Sequence, residues 1–203
     1  GCRRILTVKE NRGILDWKES DFSLNKALST VGSATNRATE REIAAAAVTV
    51  VKNENNTLPV VVKENQKILM LCPYDNERAQ MIMAYNRAKE AGLIPDSAEV
   101  KVVRYNGSNM DAVKGNIDWA DTVFVNSEIS AASRFSSNHW LYSYVEGIVD
   151  YTHEKGKKSI VMSVDKPYDV QMYANADAIL AVYGCKGSSV DVTEAIVGGV
   201  TSS

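Results

Sequence analysis

The sequence has little of what marks disulfide scaffolds, zinc sites, membrane spans and nucleic-acid-binding surfaces. Its 203 residues include three cysteines and two histidines, and Cys2, Cys72 and Cys185 lack the spacing of a disulfide framework or of a metal site. No apolar run approaches the roughly 18 residues that cross a bilayer. The formal net charge of −2 is not the basic excess of a nucleic-acid-binding surface. We therefore expect no membrane segment and no nucleic-acid partner.

The composition that is present is typical of a globular protein. Apolar residues make up 45% of the chain and charged residues 24%, which are ordinary values for a packed domain. The length fits one domain, or one domain with part of another. Because the chain opens in a helical pattern and closes directly after Gly198-Gly199, we expect it to be a fragment of a longer protein.

Short apolar runs alternate with helical patterns through most of the chain, which predicts a parallel sheet covered on both faces. The fold class is therefore a three-layer αβα sandwich with a doubly wound, mostly parallel sheet of about five strands and flavodoxin-like architecture. The predicted strands cover residues 67–72, 100–105, 122–125, 159–164 and 178–183. The predicted helices between and after them cover 76–91, 109–119, 139–155 and 189–197.

The first third of the chain is predicted to be helical. An amphipathic helix over 3–12 ends at Gly13, and residues 14–38 form a polar connector with a short helix near 20–29. Thr39 and Glu42 have the spacing of a capping box, which predicts a helix from Thr39 to about Lys52-Asn53. The predicted domains are accordingly 1–38, a tail and linker, and 39–203, the sandwich.

A Pro-Tyr-Asp motif occurs twice, at 73–75 and 167–169, each time between a predicted strand and a helical segment. Both are strand-to-helix joints at the carboxyl edge of the sheet, where such folds bind ligands. The turn after the first strand, Pro73-Tyr74-Asp75-Asn76, lacks the glycines of a phosphate-binding loop. We therefore expect no nucleotide and no other cofactor.

The polar segment 126–138 is the strongest candidate for a binding site. As a loop at the ligand edge, it carries Glu128, which has the chemistry of a general acid or a substrate ligand, and Arg134, a partner for it or a clamp on an anionic group. An ordinary solvated loop is the alternative. Tyr168 of the second joint is a further candidate substrate contact. No residue is assigned as catalytic or as a metal ligand.

The remaining reactive residue types have structural explanations. Cys72 ends an apolar run and is expected to act as a small hydrophobe. His139 begins a helix. His153 lies in the last turn of the same helix, where the helix dipole stabilises a positive charge.

Several segments together resemble glycoside hydrolase family 3, in particular the second domain of its two-domain β-N-acetylhexosaminidases. The resemblance covers about residues 3–199 and is carried by RRILTVKENRGIL at 3–15, EREIAAAAVTVVKNENNTLPV at 40–60, KILMLCPYD at 67–75 and KPYDVQMYANADAILAVYGCKG at 166–187. It implies that residues 1–38 end a (β/α)8 barrel and that the sandwich follows. The expected partners are that barrel and the carbohydrate substrate of the parent enzyme.

The resemblance also implies where the chemistry lies. In that family the aspartate nucleophile belongs to the barrel, and in the hexosaminidase branch an Asp-His pair on a barrel loop is the acid/base. The fragment is therefore expected to be inactive, its parent being a retaining exo-β-N-acetylglucosaminidase with a cell-wall-associated or secreted location.

Two alternatives stay open. In the β-glucosidase branch the acid/base glutamate comes from the second domain, in a place comparable to Glu128. The other alternative is that the chain is a self-standing binding or scaffold module and not part of a glycosidase. A domain separated from its barrel should expose an apolar patch near residues 3–30, whereas a free module should not.

Overall fold

The computed structural model describes residues 1–136 and 138–184. The chain divides into two compact units, Gly1–Glu40 and Arg41–Ser203, and the second is described as far as Gly184. The helix predicted over 189–197 lies outside the described residues. No helix of the described part is both long enough and apolar enough to cross a membrane.

The first unit consists of short helices and turns. It contains α1 (Cys2–Asn11), a 3₁₀ turn (Glu19–Asp21), α2 (Leu24–Thr30) and the first part of α3 (Ala34–Ala47). The predicted helix before Gly13 is confirmed, and Gly13 has a φ of +65°, the left-handed conformation that glycine adopts without strain. No side chain of residues 1–40 is buried, so this unit has no hydrophobic core of its own.

The second unit is built on one six-stranded sheet, which confirms the predicted fold class. The strands are β1 (Thr49–Asn53), β2 (Lys67–Cys72), β3 (Glu99–Arg104), β4 (Thr122–Ile129), β5 (Lys158–Asp165) and β6 (Ala178–Ala181). Their order across the sheet is β1-β6-β5-β4-β2-β3. All neighbours are parallel except β1, which pairs antiparallel with β6.

Helices cover both faces of the sheet and produce two separate cores. Side chains alternate along a strand, so Ile68, Met70 and Cys72 of β2 pack with α4 (Asp75–Glu90). Leu69 and Leu71 instead pack with α5 (Met110–Trp119) and α6 (Trp140–Glu154) on the other face. A sheet with two apolar faces requires a helix layer on each, which gives the three layers.

The prediction of a helix from Thr39 to Lys52-Asn53 is wrong at both ends. The helix α3 begins at Ala34 and ends at Ala47, and Thr39 lies inside it, where its hydroxyl donates to the Thr35 carbonyl at 3.2 Å. The next residues form β1, in which Thr49 pairs with Ala181. β-branched residues such as Thr49 and Val50 favour strands, and pairing with β6 outweighs the helical spacing.

Candidate functional site

Polar side chains interrupt the apolar interior at the carboxyl end of β4. All eight residues of β4 are buried, and its last half reads Asn126-Ser127-Glu128-Ile129. The prediction of a loop starting at Asn126 is therefore wrong, because the strand continues to Ile129 in register with β5 up to Asp165. Asn126 and Glu128 face one side of the sheet and Ser127 faces the other.

On one side, Asn126 and Glu128 meet Glu77 from the first turn of α4. The Asn126 amide Nδ2 donates to Glu77 Oε2 at 2.7 Å, and the carboxyl groups of Glu77 and Glu128 are hydrogen-bonded to each other. Glu77 and Asn126 are 0% exposed and Glu128 is 3% exposed. The backbone carbonyl of Asn126 also accepts a hydrogen bond of 2.6 Å from the hydroxyl of Tyr105.

Burial is the main cause that raises the pKa of Glu77 to about 9, and the hydrogen bond and charge of Glu128 raise it further. Two carboxyl groups in contact in a low-dielectric interior cannot both ionise easily. At neutral pH Glu77 therefore carries a proton and donates it in the hydrogen bond with Glu128. We call Glu77, Asn126 and Glu128 the carboxyl cluster.

On the other side of β4, a buried aspartate ties three elements together. Asp169, from the 3₁₀ turn Pro167–Gln171, accepts hydrogen bonds from the hydroxyls of Ser127 and Ser163 and, at 3.0 Å, from that of Tyr173. Burial raises the pKa of Asp169, and the three hydroxyl donors oppose that rise. The second Pro-Tyr-Asp motif is therefore a buried anchor between β4, β5 and the turn that follows β5.

The two Pro-Tyr-Asp joints differ in structure. Asp75 of the first is exposed at the start of α4 and forms an ion pair of 3.0 Å with Arg104. Asp169 of the second is fully buried. The sequence repeat marks two strand ends, but it does not mark two equivalent sites.

The segment after β4 is held from both joints. Arg134 donates to the Ser130 hydroxyl at 2.7 Å and is hydrogen-bonded to Tyr74 of the first joint. Tyr168 of the second joint packs edge-on against Phe135, with ring centroids 6.2 Å apart. The ring of Tyr168 is otherwise largely free, since the residue is 59% exposed.

The three residues predicted to bind substrate are thus placed in different environments. Glu128 is buried and directed at Glu77, Arg134 is half-buried, and Tyr168 is exposed at the surface. Within the described residues no ion pair joins Arg134 to Glu128. The sequence does not identify Glu77 as a site residue. Acidic residues are common in the first turn of a helix, and nothing in the local sequence indicates that this one is buried.

The other reactive side chains have structural roles. Burial raises the pKa of the Cys72 thiol to about 12, so it is neutral and unsuited to nucleophilic attack. His139 caps α6, where its Nδ1 accepts a hydrogen bond of 3.3 Å from the Leu141 amide. Burial first, and then the charge of Arg134, lowers the pKa of His139.

The carboxyl cluster does not have the geometry of a hydrolytic pair. Retaining glycoside hydrolysis needs two carboxyl groups about 5–5.5 Å apart with the glycosidic bond between them. Glu77 and Glu128 are in hydrogen-bond contact and are both buried, which leaves no room for a sugar.

A cleft of about 540 Å³ lies at the amino ends of the parallel strands, whereas the residues described above lie at their carboxyl ends. Its walls come from the segment before β2 and from the first residues of β4 and β5, including Gln66, Thr122 and Lys158. None of the predicted substrate-binding residues lines it.

No protein-family model matches the chain, and no curated protein matches it significantly. Solved structures do match. A fungal multi-domain GH3 β-N-acetylglucosaminidase with a GCN5-related glucosamine N-acetyltransferase region aligns with a TM-score of 0.64 and 23% identity, covering 85% of this chain and 18% of that one. A β-glucosidase from Listeria innocua in complex with isofagomine aligns with a TM-score of 0.66 and 16% identity, covering 98% and 30%.

A glycoside hydrolase family 3 β-N-acetylglucosaminidase from Paenibacillus sp. aligns with a TM-score of 0.63 and 15% identity, covering 98% of this chain and 36% of that one. At these identities the likeness shows a shared fold. This chain spans between about a fifth and somewhat over a third of the length of these three enzymes.

Proposed function

We propose that this chain is the αβα domain that follows the catalytic barrel in a glycoside hydrolase family 3 enzyme, and that the parent enzyme is a retaining exo-β-N-acetylglucosaminidase. The observation that carries the proposal is the fold likeness, which covers 85–98% of this chain but 18–36% of three larger glycosidases. The same family is indicated by the sequence blocks at 40–60 and 166–187.

The exposed apolar surface of the first unit supports this proposal over a self-standing module. Ile5, Trp17 and Phe22 are 57–59% exposed, although burying one such side chain stabilises a protein by about 1.5–3 kcal/mol. The other exposed large apolar residues of the unit are Leu6, Val8, Ile14, Leu15, Leu24, Leu28 and Val31. A barrel packed on residues 3–30 would cover this surface, as expected for the end of a preceding domain.

In this proposal the sandwich contributes no catalytic group, and its carboxyl edge helps to wall the sugar site. Tyr168 is an exposed aromatic ring at that edge, and it packs on Phe135, the residue that follows the half-buried Arg134. Amphipathic rings and guanidinium groups are suited to contact polar ligands. The substrate is the non-reducing end of a glycan that carries N-acetylglucosamine, and no cofactor takes part.

A second candidate is the β-glucosidase branch, in which Glu128 is the acid/base. The likeness to the Listeria innocua β-glucosidase favours it as much as the likeness to the two N-acetylglucosaminidases favours the first. Against it stands the burial of Glu128 and its hydrogen bond with Glu77, because an acid must reach the leaving-group oxygen.

Aryl glycosides test the proposal and separate the two branches. We expect the 203-residue chain alone to release no phenol from an aryl N-acetyl-β-glucosaminide or from the matching β-glucoside. The natural protein that contains this chain should hydrolyse the N-acetyl-β-glucosaminide at least about tenfold faster than it hydrolyses the matching β-glucoside. Turnover by the chain alone would overturn the proposal.

The Glu128→Gln variant of the natural protein decides the role of Glu128. In the first branch the variant keeps its rate on substrates with poor leaving groups. A large loss on poor leaving groups, with activity kept on good ones, would assign Glu128 as the acid and favour the second branch.

A further inference from the structure

The loop between β3 and α5 contains a chemically reactive step of the chain. Asn106-Gly107 is the one place in the sequence where glycine follows asparagine. Glycine has no side chain to hinder its backbone nitrogen, and that nitrogen can attack the side-chain carbonyl carbon of the asparagine before it. Asn106, Gly107 and Ser108 are all exposed, so water has access to the loop.

Hydrogen bonds from Ser108 hold the asparagine side chain beside this nitrogen. Asn106 Oδ1 accepts one hydrogen bond of 3.1 Å from the backbone N–H of Ser108 and another of 2.9 Å from its hydroxyl. The ring closed by the first bond contains both Asn106 Cγ and the nitrogen of Gly107, so the two atoms that would react lie close together. The backbone N–H of Asn106 donates to Asn109 Oδ1 at 3.1 Å, which fixes the start of the turn.

Neither of the two reacting nitrogens is held by another partner. Across residues 1–136 and 138–184, the N–H of Gly107 and the side-chain Nδ2 of Asn106 donate to no acceptor. The two Ser108 donors are directed at the carbonyl oxygen of the Asn106 side chain, which is where negative charge develops when a nucleophile adds to the carbonyl carbon. The nucleophile and the leaving group are therefore free, and the oxygen between them is stabilised.

We propose that Asn106 is a site of self-modification, at which the chain converts this asparagine to aspartate and isoaspartate with the assistance of Ser108. The Gly107 nitrogen forms a bond with Asn106 Cγ, the Cγ–Nδ2 bond breaks, and the proton of the Gly107 N–H leaves with Nδ2 as ammonia. Water then opens the resulting succinimide. Cleavage between the Gly107 nitrogen and Cγ gives aspartate. Cleavage at the backbone carbonyl carbon of residue 106 gives isoaspartate, in which the main chain runs through Cγ.

Either product changes the carboxyl edge of the sheet. Aspartate adds a negative charge just after β3, next to Tyr105, whose hydroxyl donates to the backbone carbonyl of Asn126 at 2.6 Å. Isoaspartate adds a methylene to the main chain directly before Gly107. Because a Cβ on Gly107 would lie 2.8 Å from the Trp140 ring, the loop has no room for this extra length unless Gly107 moves away from Trp140.

Peptide mass spectrometry tests the site in the unaltered chain. During incubation in mildly alkaline buffer, the peptide that contains Asn106 should gain the mass difference between an amide and a carboxylic acid, and isoaspartate should appear in it. The Asn126-Ser127 step is the internal control, because it is buried in β4 and should react at least about tenfold more slowly. No gain of mass at Asn106, over a time in which a free peptide with the sequence of residues 104–110 is converted, would overturn the proposal.

Variants of Ser108 test its assistance. Ser108→Ala removes the hydroxyl donor and should slow the conversion of Asn106 roughly two- to tenfold, whereas Ser108→Thr keeps a hydroxyl and should keep the rate. In urea the turn is lost, and the two variants should react at equal rates. Equal rates of the folded variants, or a difference that persists in urea, would overturn the role of Ser108. The inference concerns the chain itself and does not depend on the proposed glycosidase function.

Discussion

The protonated Glu77 makes a quantitative prediction about stability and pH. Its pKa in the folded chain is about 9, against an ordinary value of 4.5. Between these values the folded state holds a proton that the unfolded state has lost. Stability is therefore lost as pH rises through this window, at up to about 1.4 kcal/mol per pH unit.

The perturbation is Glu77→Gln, measured beside the unaltered chain at pH 6 and pH 8. From pH 6 to pH 8 the unaltered chain should lose on the order of 3 kcal/mol of unfolding free energy through Glu77. Glutamine does not titrate, and its amide can donate to Glu128 as the protonated acid does. The variant should lack this loss and should be the more stable of the two at pH 8.

Urea unfolding followed by tryptophan fluorescence measures the difference. Asp75→Asn removes an exposed carboxylate from the same helix and should keep the slope of the unaltered chain. Equal slopes for the unaltered chain and Glu77→Gln would refute the reasoning, because Glu77 would then be ionised in the folded state throughout the range from pH 6 to pH 8.

Two further predictions concern packing. Asp169→Ala leaves the hydroxyls of Ser127, Ser163 and Tyr173 without their shared acceptor and should cost about 3–5 kcal/mol in urea unfolding; a loss under 1 kcal/mol would contradict the role of Asp169 as a buried anchor. Gly107→Ala would place a Cβ 2.8 Å from the Trp140 ring at a φ of +78°, and it should lower the free energy of unfolding by about 1–3 kcal/mol. The control is Gly115→Ala in α5, where nothing lies within 4 Å of the added Cβ. This control should raise the free energy of unfolding by about 0.5–1 kcal/mol. Similar effects of the two alanines on the melting temperature would contradict the close approach at Gly107.

The sandwich could be predicted from the sequence because its central strands are apolar on both faces. Residues 67–72 and 159–164 are such runs, and the structure places them in β2 and β5. The edge strand β1 was missed because half-exposed strands carry a weaker pattern. Its residues Thr49–Asn53 follow α3 without a glycine or proline, so only pairing with β6 shows where the helix ends.

The polar site was predicted only in part, since burial of a charged residue is a tertiary property. Glu128 was recognised as a candidate, but in a loop. Asn126, Ser127 and Glu128 have the local composition of a loop, and β4 continues through them because side chains from α4 and from the turn after β5 satisfy them on both faces. Glu77 and Asp169, which provide these partners, lie about 40–50 positions away in the chain.

Burying the polar residues at the end of β4 costs the fold stability, and that cost argues for a role beyond packing. A strand buried along its whole length is normally apolar, and replacing a buried polar group and its partners with well-packed apolar residues is often neutral or stabilising. The polar residues instead concentrate in the last half of β4, at the edge where open α/β sheets bind ligands. Burial first, and then the neighbouring Glu128, raises the pKa of Glu77, so ionisation of this pair opposes folding as the pH rises. Buried polar residues that need partners on both faces of a sheet depart from the usual packing rules, and such departures are expected at functional positions. In this chain they lie at the end of β4, at Asn126 and Glu128.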